Sequence, residues 1–215
     1  MARAPDFRPL HAKPGYTAEV GRPRTHDEAL RRTLLRLAAT VVCEGGVHAL
    51  SLRRLASDAG TSTTAIYSLF GNKAGLVHGV FQDAAKRLSD HLAAVENTDD
   101  PAEDVVRLGL AYREYALANP QLYAIMFSDR FTELDLSTEQ KDEAAETFEH
   151  LVAAIRRAQA DGRFKPAPVE HVAISCWGMA HGLVSLELSE SIPPGLDLAA
   201  GYEDALRSVV AGWLN

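Results

Sequence analysis

The chain has 215 residues, of which 47% are apolar, and its formal net charge is −7. This length suits one large domain or two small ones, and the apolar fraction is ample for a buried core. The sequence has no apolar run of about 18 residues or more, so we expect no transmembrane helix. The two cysteines, Cys43 and Cys176, form no C-x-x-C motif, and the N-terminus lacks the apolar segment of a secretory signal. We therefore expect a cytoplasmic protein without disulfides.

Charge is distributed unevenly along the chain. Residues 1–80 carry eleven Lys or Arg and six Asp or Glu, whereas residues 81–215 carry eleven and twenty-three. A basic N-terminal part on an acidic body is the asymmetry that a nucleic-acid-binding protein would show. A chance imbalance of surface charge would give the same count, so the charge alone leaves the function open.

Residues 1–24 contain four prolines and no helical period, which predicts a disordered basic arm. The arm ends in Gly21-Arg22-Pro23-Arg24. Arg22 and Arg24 are candidates to enter a narrow A·T-rich minor groove, where the negative potential is strongest. A solvated linker would explain the same four residues equally well.

Residues 25–44 are predicted to form the first helix. Thr25 and Glu28 have the spacing of a capping box, in which each side chain accepts from a backbone N–H of the other residue. Apolar residues then recur with a helical period, and Gly45-Gly46 ends the helix. We expect its apolar stripe to cover the two helices that follow.

Two short helices joined by a tight turn come next. Ser51 is a good N-cap for the first of them, and Gly60 ends it because glycine adopts the left-handed conformation without a steric penalty. Thr61 or Ser62 caps the second helix. A turn of about 3–4 residues that contains glycine, between two helices, is the signature of a helix-turn-helix, although an ordinary helical hairpin has the same outline. Hydroxyl side chains at the start of the second helix suit contacts to base edges and phosphates.

Asn72 is predicted to cap a long helix that begins at Lys73, extends to about Glu96 and spans about 36 Å. Beyond it, the pattern of apolar residues, prolines and glycines predicts further helices and no strand. These helices are expected over about 101–119, 120–127, 137–161, 169–189 and 197–213, with a loop over 128–136.

The predicted fold is therefore all-α, with about nine helices. We divide it into a disordered basic arm (1–24), a helix-turn-helix domain (25–72) and a C-terminal helical domain for ligand binding and dimerisation (73–215).

Residues 52–76 carry a specific motif. They follow the pattern L-R-R-L-A-x-x-A-G-x-S-x-x-x-I-Y-x-x-F-x-N-K-x-x-L, which resembles the DNA-binding segment of the TetR/AcrR family of bacterial transcriptional regulators. Two further segments resemble a C-terminal type of that family named WHG after its Trp, His and Gly. These are N-P-x-L-Y-x-x-M-F over residues 119–127 and W-G-M-A-H-G over residues 177–182.

The resemblance implies a ligand-responsive homodimeric repressor of a pseudo-palindromic DNA operator. An activator, or a regulator without a ligand, is the alternative within the same class. The positions that would contact DNA are Ser51, Arg53, Ser62, Thr63, Thr64, Tyr67 and Lys73. The sequence departs from the family at Thr63-Thr64, where many members have Lys or Gly, and at Ala74-Gly75, where acidic residues are common. The base preference therefore cannot be carried over.

The same resemblance implies a ligand pocket among the C-terminal helices. Aromatic and methionine side chains there would line a largely apolar cavity for a small apolar or aromatic effector, although each of them alone would suit an ordinary core. The pocket candidates are Tyr112, Tyr115, Met126, Phe127, Phe148, Trp177 and His181.

Gly178 and Gly182 lie four residues apart on one helical face, where they would let another helix approach closely. The helices over about 169–189 and 197–213 are therefore predicted to pair with a second copy of the chain as a four-helix dimer interface.

Neither an enzyme nor a cofactor is indicated. The sequence has no nucleophile–base motif, no Gly-rich phosphate loop and no metal-ligand spacing. Cys176 and His181 are five residues apart and so lie on different faces of their helix, which argues against a shared metal.

Overall fold

The computed structural model describes residues 24–127 and 138–215, and the side chains of residues 27–127 and 147–215. Within these ranges the chain is helical and contains no strand, so the all-α prediction is confirmed. The helices are α1 (Arg24–Gly45), α2 (Leu52–Asp58), α3 (Thr63–Phe70), α4 (Lys73–Ala93), α5 (Pro101–Ala118), α6 (Pro120–Phe127), α7 (Thr138–Ala160), α8 (Val169–Leu188) and α9 (Leu198–Ala211). A short 3₁₀ turn, Val47–Ala49, connects α1 to α2. The predicted loop over 128–136 lies outside the described residues.

The predicted caps set the bounds of the N-terminal helices. The Ser51 side chain accepts from the backbone N–H of Arg54, and Ser62, rather than Thr61, accepts from that of Ala65. Asn72 caps α4 by accepting from the N–H of Gly75 at 2.8 Å.

Several predicted helix ends shift by one to three residues. The first helix begins at Arg24, one residue before the predicted start, and the side chain of Thr25 lies outside the described set. The long helix α4 ends at Ala93 rather than at about Glu96, and α9 ends at Ala211 rather than at about Trp213.

The buried apolar residues form two clusters that meet along α4. The first cluster joins α1, α2, α3 and residues 73–84 of α4, and we call this region the head. The second cluster joins the rest of α4 with α5 to α9, and we call this region the body. The head cluster includes Leu34, Ala38, Val42, Leu55, Ile66, Leu76 and Val80. It crosses the domain boundary predicted at residues 72 and 73, because the first turns of α4 belong to it.

Helix α6 contributes to both clusters. Ile125 is buried in the head cluster, and Met126 packs against both. The thiol of Cys43 in α1 also donates to the carbonyl oxygen of Gln121 at 3.1 Å. This helix therefore lies between α1 and the body helices.

Asp104 is the one buried charged side chain among the residues whose burial is described, with 1% of it exposed. Its carboxylate accepts from the Thr98 backbone N–H at 3.0 Å, from the Thr98 hydroxyl at 2.8 Å and from Arg157 at 2.8 Å. This cluster connects the loop between α4 and α5 to helix α7.

The apolar side of α9 is buried within its own chain. The helix over about 197–213 was predicted to pair with a second copy, but its apolar residues Tyr202, Leu206 and Val210 pack into the body cluster of their own chain. The Tyr202 hydroxyl donates to the Gly109 carbonyl oxygen of α5 at 3.1 Å. The amphipathic pattern identified an inward face correctly, but periodicity does not distinguish a face that packs within the chain from one that packs between chains.

Candidate nucleic-acid interface and apolar cavity

Helix α3 presents a hydroxyl-rich surface to solvent. Ile66 on its inner side is fully buried, whereas Ser62 and Thr64 are exposed and Thr63 is half-buried. Tyr67 has 53% of its surface exposed, although a tyrosine in a packed helix is usually more buried. Helix α3 therefore has a polar outer side available for a partner.

The basic candidates near α3 are accessible. Arg53 is exposed and Lys73 is half-buried, and within the described part of the chain neither of them has a carboxylate partner. Arg54 differs, because it pairs with Asp58 at 3.8 Å. Both partners of that pair are solvated, so the pair adds little stability. Ser51, at the start of α2, is exposed as well.

Two glycines of α4 hold the end of α3. A Cβ atom at Gly75 would overlap the carbonyl oxygen of Phe70, and a Cβ at Gly79 would lie 3.3 Å from the Phe70 ring. Phe70 therefore packs directly on the backbone of α4, which fixes α3 relative to the long helix. This contact gives a physical reason why residue 75 is glycine here.

The predicted minor-groove arginines are only partly covered by the structure. Arg22 lies outside the described residues, and Arg24 is the first residue of α1, with its side chain outside the described set. Their assignment stays a prediction.

The body encloses a cavity of about 360 Å³. Five predicted pocket residues line it: Tyr112, Met126, Phe127, Phe148 and Trp177. The remaining lining residues are Phe81, Leu88, Leu92, Val105, Leu108, Gly109, Thr147, Leu151, Ile174, Cys176, Ala180, Leu206, Val209 and Val210. The aliphatic majority was not predicted, because a leucine beside a cavity has the same sequence pattern as a leucine in a filled core.

Tyr115 and His181 do not line the cavity, unlike the other pocket candidates. The Tyr115 ring is buried between α4 and α5, and its hydroxyl donates to the Ala84 carbonyl oxygen at 3.2 Å. Burial raises the pKa of Tyr115 to about 12. Its side chain therefore joins two helices instead of facing the cavity.

His181 lies behind the cavity wall in a hydrogen-bond network. Its Nδ1 atom is 2.9 Å from the hydroxyl oxygens of both Tyr112 and Tyr123. The Tyr123 hydroxyl is also 3.0 Å from the Ser185 hydroxyl. The network joins α5, α6 and α8, so the histidine positions the wall of the cavity. Tyr123 belongs to the Leu-Tyr-x-x-Met-Phe segment that resembles the WHG type, whereas no sequence pattern indicated Ser185.

Burial keeps the ionisable groups of this wall neutral. It raises the pKa of the Tyr112 hydroxyl far above its usual range, with a further contribution from Tyr123. Burial also raises the pKa of the Cys176 thiol to about 11 and lowers the pKa of His181. At neutral pH the wall therefore presents uncharged groups.

The outer face of α8 is apolar and exposed. Ile174 has 52% and Leu186 46% of their surfaces accessible. Between them, a Cβ atom at Gly178 or Gly182 would meet no atom within 4 Å. A continuous apolar strip of this kind on one helix is typical of a protein interface.

In the part of the chain that the structure describes, no group of three or more His, Cys, Asp or Glu residues is placed to hold a metal ion. In the same residues, no helix combines the length and apolar character that crossing a bilayer requires.

Two family profiles match the chain. The profile described as "Bacterial regulatory proteins, tetR family" matches residues 34–80, which contain α2, α3 and the start of α4. The profile described as "Tetracyclin repressor-like, C-terminal domain" matches residues 105–209, which include the Trp177–Gly182 motif.

The chain is also similar to individual transcriptional regulators. The HTH-type transcriptional regulator Rv1816 of Mycobacterium tuberculosis is 25% identical over 114 residues, which cover 52% of this chain and 49% of the relative. The chain thus spans about half the length of the curated relatives it matches.

Solved structures share the fold over most of the chain. The regulatory protein SCO4313 is 28% identical with a TM-score of 0.73, and the match covers 88% of this chain and 100% of that one. A TetR family transcription regulator from Marinobacter aquaeolei VT8 has the same fold, with a TM-score of 0.73 at 21% identity and coverage of 89% and 99%. From the two profiles and this shared architecture, we conclude that the chain belongs to the TetR family of bacterial regulatory proteins.

Proposed function

We propose that this chain is a transcriptional repressor that binds a pseudo-palindromic DNA operator as a homodimer and releases it when a small apolar or aromatic effector occupies the body. The observation that carries the proposal is the outer side of α3, where Thr64 and the half-exposed Tyr67 lie opposite the buried Ile66. A helix anchored on one side and polar on the other can enter a major groove.

The side chains divide into two roles. Ser62, Thr63 and Thr64, at the start of α3, face the base edges and supply selection. Ser51, Arg53, Tyr67 and Lys73 contact phosphates, which supplies affinity and makes binding fall steeply with salt. Arg22 and Arg24 add minor-groove contacts beside each half-site. The Arg53 and Lys73 side chains support this role because no described carboxylate competes for them.

The homodimer forms through the exposed strip of α8 around Gly178 and Gly182, with the outer side of α9 beside it. The apolar exposure of Ile174 and Leu186 supports this interface, since both side chains would otherwise remain in water. Two-fold symmetry then requires half-sites about one helical turn apart, or a multiple of it.

The effector acts through α4 and α6. Both helices contribute to the cavity wall and to the head cluster, so a molecule that moves Phe81 or Phe127 also shifts the head. Release requires that the effector bind the DNA-free arrangement more tightly. A coupling free energy of about 1–3 kcal/mol would weaken DNA binding by roughly 5–150-fold.

The test begins with selection of bound sequences from a random DNA pool by the purified full-length chain. Affinity for the selected site is then measured over a range of salt concentrations for Tyr67→Phe and Lys73→Ala. Each variant is expected to weaken binding to all sequences. Lys73→Ala is also expected to reduce the slope of log affinity against log salt by up to about 0.9, because it removes a cation, whereas Tyr67→Phe leaves the slope unchanged. Lys86→Ala is the matched control, because Lys86 pairs with Asp90 on the body part of α4.

Unchanged DNA binding by both variants would contradict the phosphate contacts assigned to Tyr67 and Lys73. Target transcription in a deletion strain then separates the two modes of regulation, since loss of a repressor raises it and loss of an activator lowers it.

A further inference from the structure

The described residues of the cavity wall present hydrocarbon and aromatic groups. None of its described lining residues is Asp, Glu, Lys, Arg or His. We propose that the cavity selects uncharged ligands and rejects molecules of the same skeleton that carry a carboxylate, sulfonate or ammonium group. This inference rests on the proposed function, in which the cavity is the effector site, and it adds the charge class of the effector.

Two polar side chains of the wall are already hydrogen-bonded within the protein. The Tyr112 hydroxyl is 2.9 Å from Nδ1 of His181, and the Thr147 hydroxyl donates to the Ala85 carbonyl oxygen at 3.5 Å. The Cys176 thiol is a weak hydrogen-bonding group. A ligand that brought an ion would therefore find few groups to replace its hydration shell.

Two described arginines of the surrounding helices are paired elsewhere. Arg113 of α5 pairs with Glu187 at 2.6 Å, and Arg157 of α7 pairs with Asp104 at 2.8 Å. Neither arginine lines the cavity. His181, behind Tyr112, has a pKa lowered by burial and so contributes a neutral imidazole. An anion in the cavity would have no described counterion.

The wall also suits aromatic ligands. The rings of Phe127 and Trp177 have centroids 6.2 Å apart, and those of Trp177 and Phe148 are 5.9 Å apart in an edge-to-face arrangement. Tyr112 extends the series at 6.4 Å from Phe127. A neutral aromatic probe can therefore pack on a continuous aromatic surface.

The experiment compares two fluorescent probes that share one skeleton. N-phenyl-1-naphthylamine is uncharged at neutral pH, and 8-anilinonaphthalene-1-sulfonate is the same molecule with a sulfonate. Each is titrated into the full-length protein, and the neutral probe is expected to bind at least about 100-fold more tightly, because an unpaired ion is costly to bury. The two probes binding with affinities within tenfold of each other at the cavity would overturn the proposal, as would no binding of the neutral probe there.

Two variants assign the signals to the cavity. Leu108→Trp fills part of it and is expected to abolish the high-affinity signal of the neutral probe, whereas Leu196→Trp, on an exposed loop, is the matched control. Binding of the sulfonate that persists in Leu108→Trp is surface binding and is subtracted before the comparison.

A third variant reverses the selection. Thr147→Lys introduces an ammonium group at the wall, and it is expected to raise sulfonate affinity at least tenfold and to lower affinity for the neutral probe, while Thr147→Met does neither. If Thr147→Lys does not fold, as judged by helical circular dichroism, the comparison of the two probes on the unaltered chain decides the proposal alone.

Operator binding is measured on the same preparations. Preferential binding of the neutral probe together with no operator binding would support the charge selection and reject the proposed function. Operator binding together with equal affinity for the two probes would support DNA binding and reject the charge selection.

Discussion

The head and the body use aromatic side chains in opposite ways. In the head, Phe70 packs directly against α4 because Gly75 and Gly79 leave room for it. In the body, Tyr112, Phe127 and Trp177 surround a cavity of about 360 Å³ instead of filling it. The head is thus specified by close contact, whereas the shape of the body depends on polar contacts between distant segments. The difference suits the proposed function, in which the head reads DNA with one fixed shape and the body holds an effector in the space inside it.

The body should depend most strongly on Asp104. In Asp104→Ala, Arg157 and the N–H of Thr98 lose their shared acceptor, and we expect the free energy of unfolding to fall by about 2–3 kcal/mol, allowing for the partial exposure of Arg157. Urea unfolding at fixed protein concentration measures it. The control is Asp99→Ala in the loop that precedes α5, where the side chain is exposed. Equal effects of the two variants would contradict a special role for the buried carboxylate.

The head should depend on glycine at position 75. A methyl group there overlaps the Phe70 carbonyl oxygen, so Gly75→Ala is expected to lower the free energy of unfolding by about 1–3 kcal/mol and to weaken DNA binding. Gly201→Ala in α9 is the control, since its Cβ would meet no atom within 4 Å and alanine favours the helix. Urea unfolding and a DNA titration measure the stability and the DNA affinity of the two variants. A stable Gly75→Ala protein with full DNA affinity would show that the contact of Phe70 with α4 can be loosened.

The smallest expected effect is a pH dependence of the unfolding free energy, which comes from the His181 hydrogen-bond network in the body and not from the head. Because burial lowers the pKa of His181, the unfolded chain takes up a proton first as the pH falls below about 6.5. This residue therefore makes the folded state less stable in acid and has no such effect above neutral pH. The groups facing it, Tyr112 and Tyr123, have pKa values raised by burial and stay neutral.

The measurement is the difference in unfolding free energy between the unaltered chain and His181→Gln from about pH 7 to pH 5. The loss on acidification should be smaller in the variant. The exposed His48 supplies the control variant His48→Gln. Parallel curves for all three proteins would exclude His181 as a source of acid sensitivity.

The sequence predicts interactions between residues that are close in the chain better than interactions between distant ones. The caps at Ser51, Ser62 and Asn72 act over three residues, so they are visible in the sequence and they are present in the structure. The contact between His181 and Tyr112 joins residues 69 positions apart, and no local pattern encodes it.

For the apolar helices, the sequence shows which face is apolar but not which partner that face packs against. The inward side of α9 was recognisable, but whether Tyr202 packs on its own chain or on a second copy depends on where α5 lies. For the same reason Tyr115 and Tyr112 looked equivalent in the sequence, although Tyr115 faces α4 and Tyr112 faces the cavity. Secondary structure was therefore predictable to within a few residues, whereas the partners of each apolar face were not.

The position of α6 limits how this chain can change during evolution. Ile125 is buried in the head core, and its neighbours Met126 and Phe127 line the cavity, all within one turn of helix. A substitution that enlarges the cavity at these positions also alters the support of α3. Under the proposed function, lineages that acquire a new effector through this wall would need compensating changes in α1 or α4, whereas changes at the aliphatic side, such as Leu108, would leave the head untouched.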